Sequence, residues 1–464
     1  MADSKSSDAN ALYYHFEDKL SIWEYIVYGF EQLLVMDSVF ALPVVLGVAF
    51  HLPTANLIYL IQAVLIGSGV TTLLQSAVLL RMPVAQGIGA SITGVGVTLA
   101  TLGISFASFI SSALISVIII GFFLVPFIPY KNGKKSIIEY LLVLVRDPQV
   151  YGVLITIIGV VLIGNAIGLI NDSGYKFLPD LGGVITIVVI LALIFIFKKG
   201  VLRFGSIIIG LLIGAIFSYG VGIMNMSKVV SYPLVAFPVP FFVRYGVQIT
   251  SLGIEVAILA VFIATLMLVT EAVGVYYTVG DLDNVKVDDS RVRKGLTGEV
   301  IGSIIALLIG GMSTTTFAQN VGSVQITRVG ARRVFTATGI FLIILGFIPK
   351  IGAFIVSIPD AVLGSAFLVI YSMLLITGLK IISQMTWNNK NMLIVAISLA
   401  LGLGISSVPA IAFSGIPPYL KAAIISPIVL ATLAAIFLNL IGNLMPKWFG
   451  KKQAIEKEQQ KTTP

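Results

Sequence analysis

An amide pair, Gln319 and Asn320, follows a glycine- and threonine-rich interruption between two apolar runs. The interruption, from Gly310 to Thr316, reads GGMSTTT. Amide side chains carry both donors and acceptors, so they suit a flat, neutral heterocycle with alternating N–H and C=O groups better than a metal ion or a lipid. Within a membrane, a broken polar segment survives only where it is buried in protein or lines a cavity. The stretch therefore predicts a binding site, the alternative being a polar loop between two spans.

Glu271 is the clearest acidic candidate, in the apolar stretch LMLVTEAVGVYY. A charged side chain at the centre of a membrane helix costs at least about 2.5 kcal/mol, which favours a functional role. That role is to accept hydrogen bonds from a substrate N–H and to carry a coupling proton; the other possibility is a structural hydrogen bond between helices.

Asp37, in VMDSVFALP, either approaches Glu271 and favours proton binding or hydrogen-bonds a neighbouring helix. Glu31 and Glu255 lie nearer segment ends and are weaker candidates.

The elements that must position these residues are membrane helices. The chain has 464 residues, of which 58% are hydrophobic and 11% charged, and its mean hydropathy is +1.04. Runs of about 20 apolar residues recur, which excludes a soluble protein and indicates a polytopic membrane protein. The net charge of +8 is typical of lysine and arginine in cytoplasmic loops, so no nucleic-acid partner is expected. Cysteine is absent, which excludes disulfides, thiolate nucleophiles and iron–sulfur sites.

Fourteen segments are predicted between a polar amino-terminal tail (1–20) and a polar carboxy-terminal tail (447–464). They are 24–48, 56–80, 87–102, 106–128, 149–170, 181–198, 203–224, 250–279, 295–313, 317–328, 334–356, 359–379, 391–407 and 419–444. The third and the tenth are too short to cross about 30 Å of hydrocarbon as helices. Residues 134–146 are predicted to form an interfacial helix.

The two short segments hold corresponding places if the chain consists of two halves of seven segments. Because seven is odd, the second half must enter the membrane in the opposite orientation, and matching interrupted segments mark the binding site of such inverted repeats. A cytoplasmic amino terminus places 24 of the 29 lysines and arginines on the cytoplasmic side. The positive-inside rule therefore favours this count, with both termini cytoplasmic in the cell membrane.

The segment around the amide pair resembles a known family, the nucleobase–ascorbate transporters, also called nucleobase:cation symporter-2 or the xanthine/uracil permease family. The family signature is Gln, Glu or Pro, then Asn-x-Gly, then four residues, then Thr followed by Arg, Lys or Gly. Gln319-Asn320-Val321-Gly322, with Thr327-Arg328 after four residues, matches it completely. The stretches MPVAQG, RKGLTGEVIGS, IPKIGA and IPDAVLGSA also look like family positions.

The resemblance implies an all-α polytopic membrane fold of fourteen segments in two inverted repeats, with short strands in segments three and ten. It implies a core domain formed by 21–130 and 249–357 and a gate domain formed by 131–248 and 358–446. The gate would form a homodimer contact, and the core would slide against it in an elevator-like movement.

By position, the resemblance implies roles for individual residues. Glu271 matches the substrate-binding glutamate of segment eight. Ala318 and Gln319 match the pair in segment ten whose backbone and amide contact the base, and Asn320 matches the asparagine that supports the site.

Several positions depart from the family pattern. Gly89–Ala90 falls where segment three usually offers a serine and an aromatic, so the ring that stacks on the base is missing. Val275 stands where many members have an acid or histidine, and Glu31–Gln32 stands where many have Gln-His. Asp37 is therefore expected to replace part of the missing partner of Glu271.

The function implied is secondary active transport of a nucleobase, coupled to protons or to sodium, without a cofactor or a bound metal. Gln319 at the first signature position resembles the xanthine and uric acid branch, whereas glutamate there goes with uracil. One alternative is therefore a uracil or pyrimidine permease. Another is an anion transporter or channel with the same fold, which should place a positive charge near the half-helix ends. An enzyme is not expected, because no metal-ligand cluster or P-loop occurs.

Overall fold

A computed structural model describes residues 12–36, 38–124, 147–172, 176–197, 200–237, 239–248, 254–409, 412, 415–416 and 424–446. Asp37, the interfacial helix expected over 134–146 and the tail from 447 onward lie outside the described residues. The predictions made for them therefore stay predictions.

The described chain is mostly helical. Its first part forms helices α1 (Ile22–Val35), α2 (Ser38–Ala49), α3 (Thr54–Leu73), α4 (Ala90–Thr101), α5 (Phe106–Leu124), α6 (Pro148–Asp172), α7 (Phe177–Ile196), α8 (Val201–Phe204), α9 (Ser206–Gly220), α10 (Ser227–Ser231) and α11 (Phe241–Arg244). Its second part forms α12 (Ile254–Leu282), α13 (Asp289–Leu308), α14 (Ala318–Thr327), α15 (Arg332–Gly346), α16 (Pro349–Ser357), α17 (Asp360–Ser383), α18 (Asn389–Gly404) and α19 (Pro427–Asn439). Two short strands, β1 (Gln86–Ile88) and β2 (Thr314–Thr316), precede α4 and α14. Helical turns continue α3 over Leu74–Val78, α18 over Ile405–Ser407 and α19 over Leu440–Leu444.

Eight helical stretches in the described part of the chain are long and apolar enough to cross a membrane, and the bent pair α15–α16 makes a ninth. The polytopic membrane class predicted from composition is thereby confirmed. The count of fourteen stays a prediction, because α4, α9 and α18 are shorter apolar helices. The 10-residue α14 rises only about 15 Å, half the hydrocarbon thickness.

The span predicted over 334–356 is broken. Helices α15 and α16 meet at an angle of 76°. Pro349 occupies the first turn of α16, where its missing N–H is tolerated, but it cannot continue the hydrogen-bond ladder of α15. After the bend, α16 packs against α3.

The helices pack in two groups. Helices α1 to α5 pack with α12 to α16, with α15 against α3 and α12 against α5. Helices α6, α7 and α9 pack with α17 to α19, with α17 against α6 and α19 against α18. Glycine allows α6 and α17 to approach closely: a Cβ on Gly159 of α6 would lie 2.7 Å from the backbone nitrogen of Leu375 in α17.

The described part of the polar amino-terminal tail packs against the helices. Leu12 and Phe16 are buried, and Tyr14 pairs in parallel with Val329, beyond the end of α14. The carboxylate of Glu17 receives two hydrogen bonds from the Arg332 guanidinium, at 3.0 and 2.9 Å. Residues Leu12–Glu17, here called the strap, therefore join the ends of the helices that carry the candidate site.

His15 in the strap is expected to make stability depend on pH. Its Nδ1 contacts the Asp283 carboxylate beyond the end of α12, and this hydrogen bond raises the pKa of His15 above its ordinary value. A raised pKa contributes stability that is present below the ordinary value of about 6.5 and is lost as pH rises through the raised value. A His15→Asn variant should therefore melt below the wild type at about pH 6 and approach it at about pH 9.

The measurement is the melting temperature of the purified protein across this pH range. His51, the other histidine in the sequence, serves as a matched control in a His51→Asn variant. A wild-type advantage over His15→Asn that is the same at both ends of the range would contradict this prediction.

Candidate functional site

The strands β1 and β2 lie side by side inside the first helix group, and the place where these two interrupted segments meet is here called the crossing. They pair antiparallel, with Gln86 opposite Thr316 and Ile88 opposite Thr314. Each strand leads through one residue into a short helix, so α4 and α14 begin at opposite ends of the ladder. Neither helix has a side-chain cap. Their first backbone N–H groups, which carry the positive end of the helix dipole, are therefore available to a ligand.

Gly87 allows the crossing because the Phe317 ring lies against it. A Cβ at Gly87 would sit 2.2 Å from Cε2 of Phe317 and 2.7 Å from Cγ1 of Val39. Contacts this short cannot form unless β1 or the ring moves. The absence of a side chain at Gly87 therefore determines how closely the two interrupted segments approach.

We expect Gly87→Ala to impair uptake strongly, because overpacking of this kind typically costs about 1–3 kcal/mol and here it displaces the strand that carries the start of α4. The matched control is Gly164→Ala in α6, where a Cβ would meet nothing within 4 Å. Initial uptake rates, normalised to the amount of protein in the membrane, test the prediction. Equal rates for the two variants would contradict it.

A buried carboxylate, Glu299 of α13, fastens the crossing from one side. Its side chain is only 4% exposed, and Oε1 accepts hydrogen bonds from Tyr276 (2.8 Å), Gln86 (3.0 Å) and Thr316 (2.6 Å). One oxygen thus joins β1, β2 and α12. Sequence reasoning missed Glu299. The rule that singled out Glu271, an acid within an apolar helix, would also have found it.

Asn320, in the first turn of α14, makes hydrogen bonds on the other side of the crossing. It is 1% exposed, and its Nδ2 donates to the backbone oxygen (3.1 Å) and to Oε1 (2.8 Å) of Gln32. The Gln32 amide nitrogen donates in turn to Oγ of Ser323 (2.9 Å). Because its amide nitrogen is bound to α1, Asn320 positions α14. Gln32 was aligned from the sequence without a predicted partner, and the structure supplies that partner.

Helix α12 brings Glu271 to the same crossing. The backbone oxygen of Ala264 accepts from Ser91 in α4 (3.4 Å), and that of Leu268 accepts from Thr315 in β2 (3.0 Å). Glu271 follows Leu268 by three residues, about 4.5 Å along the helix axis. Glu271 therefore lies about one turn of α12 beyond the contact of this helix with β2, and α12 also packs against α14.

The predicted site residues differ in how far they are available. Gln319 and Ala318 are exposed, Glu271 and Ala90 are half-buried, and Gly89 is buried under Leu268. In the part of the chain that the structure describes, no side-chain hydrogen bond involves the Glu271 carboxylate or the Gln319 amide. Glu299 and Asn320 are bonded, whereas Glu271 and Gln319 remain free to bind a ligand.

A permease family model and several permeases match most of the chain. A family model described as "Permease family", for xanthine and uracil permeases, matches residues 24–411. The chain is 30% identical to the xanthine permease of Bacillus subtilis, covering 93% of this chain and 95% of the relative. It is 32% identical to the xanthine permease XanQ of Escherichia coli K12, covering 93% of each. It is 31% identical to the uric acid permease PucJ of Bacillus subtilis, covering 87% of this chain and 89% of the relative.

Solved structures of similar fold come from membrane transporters. The transmembrane domain of the cyanobacterial bicarbonate transporter BicA matches with a TM-score of 0.50 and 15% identity, covering 91% of this chain and 98% of that domain. The murine anion transporter Slc26a9 in its inward-facing state matches with a TM-score of 0.54 and 13% identity, covering 91% of this chain and 69% of that chain. At these identities the likeness establishes the fold alone.

Proposed function

The chain belongs to the xanthine/uracil permease family, and from this premise we propose that it is a secondary active transporter for a purine nucleobase such as xanthine or uric acid. Family membership makes the protein a membrane transporter and not an enzyme. The names of three relatives, two xanthine permeases and a uric acid permease, support a purine.

One observation carries the proposal: an unbonded carboxylate and an unbonded amide lie where two half-helices begin. The Glu271 carboxylate can accept hydrogen bonds from ring N–H groups, and the Gln319 amide can both donate and accept hydrogen bonds. The backbone N–H groups at the uncapped starts of α4 and α14, at Gly89–Ala90 and Ala318, would complete the site by donating to carbonyl oxygens. The edge of a purinedione presents this alternation of donors and acceptors.

Two acids near the site support the proposal of proton coupling. Glu271 lies close enough to Glu299 for their charges to interact. Protonation of Glu271 would relieve the repulsion between them and let the carboxyl group follow the substrate. Sodium is the alternative coupling ion, because carboxylate and carbonyl oxygens also suit a hard cation.

The transport movement that we propose is an elevator. The core (21–130 and 249–357) would carry the site, and the gate (131–248 and 358–446) would form the homodimer contact. The fold likeness to BicA and the pairing of one strand from each half support fourteen segments in two inverted repeats. The distribution of lysine and arginine supports cytoplasmic termini in the cell membrane.

Uptake of labelled xanthine, uric acid, guanine, adenine and uracil into proteoliposomes, with and without a protonophore, tests the function. We expect concentrative uptake of xanthine or uric acid that the protonophore abolishes. Uptake that depends on a sodium gradient instead would overturn proton coupling. Transport of uracil alone would establish the pyrimidine alternative, and transport of bicarbonate or chloride alone the anion alternative.

A further inference from the structure

One face of α6 lies along the first helix group. Tyr151, Leu154 and Ile158 are three and four residues apart, which places them on the same side of the helix. Ile158 is fully buried, and its Cγ2 would lie 3.1 Å from a Cβ on Gly94 in α4. Leu154, also buried, lines a small apolar cavity with Ala264 and Met267 of α12.

Helix α12 presents a matching face. Ala260, Ala264 and Met267 line the cavity, and Glu271 continues the same stripe at the next turn. Tyr151 lies one turn of α6 beyond Leu154, and Glu271 lies one turn of α12 beyond Met267. The charge of the Glu271 carboxylate acts on the Tyr151 hydroxyl, in keeping with this placement.

Side-chain burial decreases from the cavity toward Tyr151 and Glu271. Ile158 and Leu154 are buried, whereas Tyr151 and Glu271 are both half-buried and Gln319 is exposed. Within the described residues no hydrogen bond involves the Tyr151 hydroxyl. An aromatic ring with a free hydroxyl thus lies on the face of α6 that is turned toward the helix carrying the free carboxylate.

We propose that Tyr151 is a substrate-contacting residue whose ring packs on the face of the purine held by Glu271 and Gln319. This inference rests on the proposed function and deepens it. It supplies the aromatic surface that Ala90 lacks, from α6 in the opposite helix group rather than from the crossing itself. Every base presents a π-face, so stacking on an aromatic side chain contributes substantially to binding.

Because of its location, Tyr151 can contact the purine in only one arrangement of the two helix groups. Glu271 and Gln319 lie on the first helix group and Tyr151 on the second, so the ring meets the purine only where the groups are arranged as here. If the groups slide past each other, the stack breaks while the hydrogen bonds remain. Tyr151 therefore strengthens binding from one side of the membrane.

The test compares uptake kinetics of Tyr151→Ala, Tyr151→Phe and the wild type, with membrane abundance measured in parallel. We expect Tyr151→Ala to raise KM about tenfold, the loss typical of one removed stacking contact, while Tyr151→Phe keeps KM within about twofold. Tyr219→Ala is the matched control, because Tyr219 lies on α9, another helix of the second group, and is 61% exposed. It should leave KM unchanged.

Two results would overturn the inference: a wild-type KM in Tyr151→Ala, or an equal rise of KM in the Phe and Ala variants, which would assign the effect to the hydroxyl. If Tyr151→Ala does not reach the membrane, Tyr151→Leu, which keeps an apolar side chain without a π-face, decides by the same KM. Failure of the proposed function is distinguishable, because the wild type would then take up no purine. A wild type that transports a purine alongside a Tyr151→Ala variant of normal KM overturns the stacking role alone.

Discussion

Replacing Glu271 by glutamine should reduce purine uptake to the background of cells without the transporter. The amide cannot bind and release the coupling proton, and its NH2 group opposes ring N–H donors that the carboxylate accepts. A hydrogen bond to a charged group is worth about 1.5–3 kcal/mol, so the loss of substrate binding alone amounts to about tenfold or more. Loss of proton coupling then removes the concentrative uptake that remains.

The matched control is Glu255→Gln in the first turn of the same helix, α12, where the side chain is exposed. It should retain uptake near the wild-type level. The measurement is the initial rate of uptake of the purine that the wild type carries, normalised to protein in the membrane. Normal uptake by Glu271→Gln would refute the site assignment, and equal losses in both variants would show a general effect of altering α12.

Replacing Glu299 by alanine should destabilise the protein more than any other single change considered for this site. Tyr276, Gln86 and Thr316 would lose their common acceptor while remaining buried. Each buried donor left unsatisfied costs about 1–3 kcal/mol, so three such donors consume much of the 5–15 kcal/mol that is typical of folded domains. The crossing of β1 and β2 would loosen, and uptake would fall with it.

The thermal stability of detergent-solubilised protein, followed by fluorescence-detected size-exclusion chromatography, measures this effect. Glu299→Gln keeps an acceptor oxygen in place and should recover most of the stability lost in Glu299→Ala. Asp289→Asn, at the exposed start of the same helix, should behave as the wild type. A melting temperature for Glu299→Ala within a degree or two of the wild type would show that Glu299 does not hold the crossing.

The sequence was most informative where a residue type contradicts its surroundings. Glu271 and the amides at Gln319 and Asn320 interrupt apolar runs, and the energetic penalty of a polar group in lipid is a property of the local stretch. These residues could therefore be singled out without knowing their neighbours in space. Whether each one binds a ligand or another helix could not be read in that way.

Other residues could be interpreted only from partners far away in the chain. Glu17 and Arg332 are 315 positions apart, and each reads as an exposed charge by itself. Their bidentate pair holds the strap, which composition alone had assigned to a polar tail. In the sequence Tyr151 is an ordinary residue at the start of an apolar helix. Only the packing of Leu154 and Ile158 shows that this face of α6 is turned toward the first helix group.

The amino-acid sequence by itself determined the membrane class, the polar breaks and the family, because hydropathy and a ten-residue signature are local properties that add along the chain. The tertiary structure alone decided that Glu271 and Gln319 are free while Glu299 and Asn320 are bonded. It also brought Tyr151 to the site from the other helix group. The physical reason is that a polar side chain acts through the partner it meets in space, and that partner depends on how helices from both halves pack.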